Sequence, residues 1–154
     1  MATGIEIRPT GSALGADVAG AELADPGETT LARIRAALRE HLVLRFRGTD
    51  LEDAGYVAFG RTFGEIEPPE PHTRTASMTD AAFPEMSVIS NIVENGIAKG
   101  ESGDGELRWH SDHGFMERPA GFTMLLAREV PASGGDTSFL SRFPPSCLVA
   151  SSPE

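Results

Sequence analysis

The sequence predicts an α+β chain, mainly β, with its helices gathered near the N-terminus. Three observations predict it. Two amphipathic helical patterns both fall before residue 65. Beyond them the apolar residues come in short runs of strand length, at Met86–Val93, Phe122–Ala127 and Ser138–Leu140. The segments between these runs are rich in Gly, Pro, Ser and Thr, the residues that break periodic structure.

In chain order, Ile5-Glu6-Ile7 alternates as a half-buried strand does, and Pro9 with Gly11 ends it. Leu14 to Val18 forms a second short candidate strand. Asp25-Pro26-Gly27-Glu28 reads as a helix start, with Asp25 as cap, Pro26 at the first helical position and Glu28 reaching back. Leu31, Ile34 and Leu38 then line one face while Arg33, Arg35, Arg39 and Glu40 face water, so a helix over 27–41 is predicted. Leu42 to Phe46 is a compact apolar run, read as a buried strand. Thr49 and Glu52 have the spacing of a capping box and open a second helix carrying Leu51, Tyr56, Phe59 and Phe63, with Gly64 as its stop.

Glu65 to Pro84 has no period and predicts a long loop, of the kind that often serves as a lid. Glu94 to Glu106 reads as a Gly-rich acidic loop. Pro131 to Thr137 reads as a turn, and the tail from Ser141 to Glu154 as irregular.

Composition narrows the function. An apolar share of 40% and a charged share of 23% describe an ordinary globular domain with enough apolar material for a core. A net charge of −10 argues against a nucleic-acid partner, because no basic stripe is present to displace counterions. A single cysteine, Cys147, leaves no internal disulfide and fits a reducing cytoplasm. The apolar runs fall far short of the ~20 residues that span a bilayer, so no membrane partner is expected.

The chemistry concentrates in Arg108-Trp109-His110-Ser111-Asp112-His113. In an extended chain, residues i and i+2 face the same way, about 6.6 Å apart, and long side chains from them can lean onto one ion. A His-x-Asp pair supplies two of the three ligands of a 2-His-1-carboxylate Fe(II) site. The alternative is a strand-end histidine satisfied by the neighbouring carboxylate. Trp109 reads as core or pocket wall, and His113 as a supporting or surface residue. His72, in the long loop, reads as a solvated histidine.

The run Gly105-Glu106-Leu107-Arg108-Trp109-His110-Ser111-Asp112 is followed by Phe115, Pro119, the strand at Phe122–Ala127 and Pro131-x-x-Gly134-Gly135-Asp136-Thr137. Together with His41-Leu42-Val43-Leu44-Arg45-Phe46-Arg47-Gly48 and the Phe63-Gly64 helix end, it resembles the TauD/TfdA family over residues 5 to 140. Members of that family are Fe(II)- and 2-oxoglutarate-dependent dioxygenases. The resemblance implies a partial double-stranded β-helix, or jelly roll, with N-terminal helices and incomplete at the C-terminus. It further implies that His110 and Asp112 ligate Fe(II), that Thr137 hydrogen-bonds the distal carboxylate of 2-oxoglutarate, and that Phe115 lines the pocket of a small-molecule substrate oxidised with O2. Bland readings stand beside these: Asp136 closes a turn, and Thr137 is an ordinary strand residue.

The chain also departs from the family. Glu106 stands near an amide of the taurine-binding members, which argues against taurine, and 65–84 lacks their histidine-bearing substrate loop. The family's second histidine ligand and its 2-oxoglutarate-binding arginine lie far downstream of the Gly-Gly-Asp-Thr turn. Here Arg142 is the sole arginine after Thr137, and no histidine follows it. Residues 1–140 are therefore expected to be the N-terminal part of such a domain, with 141–154 a divergent tail. On that expectation the chain turns over poorly alone, pairs through an open sheet edge as a homo-oligomer or interaction module, or receives the missing ligands from another chain.

Overall fold

A computed structural model describes residues 4–11, 14–67, 82–98, 108–141 and 149–151. Expectations for Glu106, His72, Arg142, Cys147 and most of the 65–84 loop lie outside the described residues. The chain divides into two compact units, Met1–Gly55 with Leu126–Glu154, and Tyr56–Leu125. Among the described residues, no helix is long and apolar enough to cross a membrane.

The first unit is built on a mixed sheet. Strand β1 (Glu6–Pro9) pairs antiparallel with β2 (Ala16–Ala19), which pairs in parallel with β3 (Leu44–Phe46). Between β2 and β3 the chain runs through helix α1 (Glu28–His41), which packs on both strands. Alternation sets the faces: Ala16 and Val18 are buried, and α1 adds Leu31, Ile34 and Ala37. Ile34 is 1% exposed and is the best-buried large side chain of this core. On the other face Asp17 stands opposite Arg45 in the register and accepts two of its hydrogen bonds, at 2.6 and 3.0 Å. That bidentate fork holds the Asp17 carboxyl below its ordinary range and raises Arg45.

The helix begins later than the capping pattern predicts. Gly27 is the N-cap and makes no side-chain cap bond, so Asp25 does not cap. Glu28 is the first helical residue, where its charge favours the positive end of the dipole. At the other end Leu42 takes the left-handed conformation (φ 64°), its N–H donating to the Leu38 carbonyl at 2.9 Å. Val43 N–H then bonds back to His41 at 2.8 Å, so β3 starts at Leu44 rather than at Leu42. A second pair, β6 (Ser138–Leu140) with β7 (Val149–Ser151), is antiparallel. The β6 bounds are as predicted, whereas β7 corrects the expectation that the tail is irregular throughout.

Helix α2 (Asp53–Arg61) is shorter than predicted. Arg128 explains its start: one guanidinium nitrogen donates to the Leu51 carbonyl at 2.7 Å, taking it out of the helical ladder, and another pairs with Asp53. The Thr49–Glu52 capping box is therefore not the helix start.

In the second unit, the expected strand Met86–Val93 is reduced to an isolated bridge at Ser87, and a hairpin, β4 (Val93–Glu94) with β5 (Ile97–Ala98), opens the stretch expected to be a loop from Glu94. Asn95 and Gly96 both have positive φ, 52° and 79°, the signature of a two-residue type I′ turn. Upstream, the Ile92 N–H is satisfied locally by the Ser90 hydroxyl at 3.0 Å, which competes with a ladder there. The expected strand Phe122–Ala127 keeps its alternation, with Met124 and Leu126 half-buried between exposed neighbours, but makes no regular ladder. Among the described residues, the strands form one three-stranded and two two-stranded sheets, and they do not by themselves make a jelly roll.

Candidate metal centre

His110 and Asp112 come together. His110 Nε2 lies 3.2 Å from Asp112 Oδ1, with the side chains 57% and 46% exposed. The segment holding them is not part of a sheet; it runs into a turn over 112–115, where the Met116 N–H donates to the His113 carbonyl at 2.9 Å.

The tautomer follows from the partners. His110 Nδ1 is 2.8 Å from the Arg108 carbonyl oxygen. A carbonyl oxygen only accepts, so Nδ1 carries the proton, and in the neutral ring Nε2 presents a lone pair. That lone pair faces a carboxylate oxygen, which is also an acceptor. The gap therefore calls for a proton or a cation. Two cis ligands, each about 2.1 Å from one ion, stand about 3 Å apart, close to the spacing here. The donor set, one imidazole nitrogen and one carboxylate oxygen, fits a divalent ion of Fe(II) type, and the carbonyl bond on Nδ1 is the usual outer support of a ligating histidine. Among the described residues no group of three or more His, Cys, Asp or Glu is arranged to hold a metal.

The second carboxylate oxygen is also engaged. The Thr123 hydroxyl donates to Asp112 Oδ2 at 2.6 Å. Thr123 was not singled out from sequence, since it sits in an apolar run as one polar residue among strand formers. Tyr56 of α2 donates its hydroxyl to the Met124 carbonyl, and burial raises that phenol above its ordinary range.

The other predicted residues are placed as follows. Phe115 is 79% exposed, its ring edge-on to His113 with centroids 6.2 Å apart. Trp109, read as packing, is instead 61% exposed. His113 takes a left-handed backbone (φ 52°), tolerated by histidine better than by most residues. Among the described residues its Nδ1 is buried without a hydrogen bond, with the Glu67 carboxylate at 3.6 Å, beyond bonding range. Thr137, in the other unit, is exposed just before β6, after the Gly134-Gly135 turn.

Residues 6–143 match the family described as taurine catabolism dioxygenase TauD, TfdA family, and the chain belongs to that family of oxidoreductases. Pentalenolactone F synthase of Streptomyces arenae is 39% identical over 135 residues, covering 85% of this chain and 44% of the relative. The (S)-phenoxypropionate/alpha-ketoglutarate-dioxygenase of Delftia acidovorans is 30% identical over 149 residues, 90% of this chain and 47% of its own length. Among solved structures, AAD-2 in complex with Mn(II) and N-oxalylglycine superposes with a TM-score of 0.60 at 27% identity, covering 76% of this chain and 43% of that one. The chain thus spans under half the length of these relatives.

Proposed function

We propose that the chain carries the metal-binding part of an Fe(II)- and 2-oxoglutarate-dependent dioxygenase. Its reaction is hydroxylation of a small organic substrate by O2, with 2-oxoglutarate decarboxylated to succinate, in the cytoplasm. The carrying observation is the approach of His110 Nε2 to within 3.2 Å of Asp112 Oδ1, with His110 Nδ1 already bonded to the Arg108 carbonyl. The names of the relatives, which include pentalenolactone F synthase and dioxygenases of phenoxypropionate and 2,4-dichlorophenoxyacetate, support a small organic substrate.

Bound Fe(II) would supply the redox chemistry that couples O2 to oxidation of the co-substrate and of a substrate C–H bond. The chain's own residues have simpler tasks. His110 offers a neutral donor whose ring is held by the Arg108 carbonyl. Asp112 supplies negative charge. Thr137 donates to the distal carboxylate of 2-oxoglutarate, and Phe115 is an apolar wall for substrate. Residues 1–140 are the N-terminal part of a jelly-roll domain, with 141–154 outside it. A facial triad needs a second histidine besides these ligands.

Anaerobic Fe(II) binding tests the reading. One Fe(II) per chain, lost in His110→Ala, is expected; binding that is indifferent to His110 would overturn it. The apolar side chains of Ile89, Val93, Ile97 and Leu125, all exposed, favour a second reading in which the chain self-associates. Sedimentation showing a monomer at high concentration would remove it.

A further inference from the structure

Resting on the metal reading above, we infer that Thr123 is a positioning residue that holds Asp112 as a one-oxygen ligand. An aspartate carboxylate has two equivalent oxygens and a broad second torsion, so an unrestrained one can chelate through both or swing away. Here the oxygens have different partners: Oδ2 accepts the Thr123 hydroxyl at 2.6 Å, and Oδ1 faces His110 Nε2 at 3.2 Å. The short O–H···O distance is that of a bond to a charged acceptor.

The donor is itself held on both sides. Phe122 packs edge-on against Phe63 with ring centroids 5.1 Å apart. The Met124 carbonyl accepts the Tyr56 hydroxyl. The Met124 methyl lies over Gly60, only 3.1 Å from where a Cβ would stand. Both neighbours of Thr123 are therefore pinned to α2 and the turn after it. The branched Thr side chain adds its own torsional stiffness. The result is a carboxylate with one oxygen taken by the Thr123 hydroxyl and the other turned toward His110, where it would be offered to an ion.

Mn(II) titrated into the 15N-labelled chain provides the test, with paramagnetic broadening at residues 110–112 reporting Kd. Thr123→Val keeps the shape and removes the donor; its Kd should rise about tenfold or more, the usual cost of losing a group that supports a metal ligand. Thr123→Ser restores the hydroxyl and should bind within about twofold of the parent. Equal affinity for the Val variant and the parent would overturn the positioning role, as would a Ser variant as weak as Val, since the methyl would then be what matters. Broadening that ignores 110–112, or that survives His110→Ala, would instead bring down the metal reading, and this inference with it.

Discussion

Replacing Asp112 by asparagine separates the fold from the proposed metal site. With the His110 ring neutral and no ion bound, Nε2 and the Asp112 carboxylate oxygen are two acceptors 3.2 Å apart. Asparagine keeps the shape and turns its amide N–H toward His110 Nε2, while its oxygen accepts the Thr123 hydroxyl. Acceptor against acceptor becomes donor against acceptor. A hydrogen bond of this kind contributes about 0.5–1.5 kcal/mol, toward the low end where groups are half-exposed. Metal-free stability should therefore hold or rise by up to about 1 kcal/mol.

Metal affinity goes the other way. A unit charge about 2.1 Å from a dication contributes about 4 kcal/mol even at the dielectric constant of water, less under salt, so a loss of about a hundredfold is expected. Calorimetric melts with and without Mn(II) read both effects. With Mn(II) at about a hundred times the parent Kd, the parent gains about 2.7 kcal/mol, or about 5–10 °C for a chain of this size. The variant should gain about 1 °C. A metal-free variant melting several degrees below the parent, or one stabilised equally by Mn(II), would refute the acceptor–acceptor argument.

Other expectations concern the first unit. Ile34→Ala empties the best-buried position of α1 and should cost about 3–4 kcal/mol, read from urea midpoints; a cost below 1 kcal/mol would mean that this core is loosely packed. Leu42→Gly relieves a left-handed leucine at the helix end and should raise stability by about 0.5–1 kcal/mol in the same assay. For Asp17 the folded carboxyl is depressed, chiefly by its hydrogen bonds to Arg45. Its contribution is then present above the unfolded value of about 3.9 and is lost as pH falls through the lower folded value. The stability gap to Asp17→Asn, about 1 kcal/mol or less for a pair one-third exposed, should close in that acidic window. A gap independent of pH would point to packing instead.

The amphipathic stripe of Leu31 and Ile34 and the alternation at Ile5-Glu6-Ile7 were legible because a local period and burial are the same fact seen twice. The His110–Asp112 meeting was legible for a similar reason, since two residues' separation nearly compels proximity. The hairpin turn at Asn95-Gly96 was also written in the chain, but the apolar run before it outweighed that signal. The sequence by itself determined local form, an imidazole and a carboxylate two residues apart, and a family resemblance. Only the tertiary structure decided which oxygen of Asp112 is taken by a hydroxyl and which is left facing His110. That depends on a hydroxyl 11 residues away, and on a tyrosine 68 residues from the carbonyl it holds. Such pairings are chosen by what the packed core brings within bonding reach, and no local period encodes them.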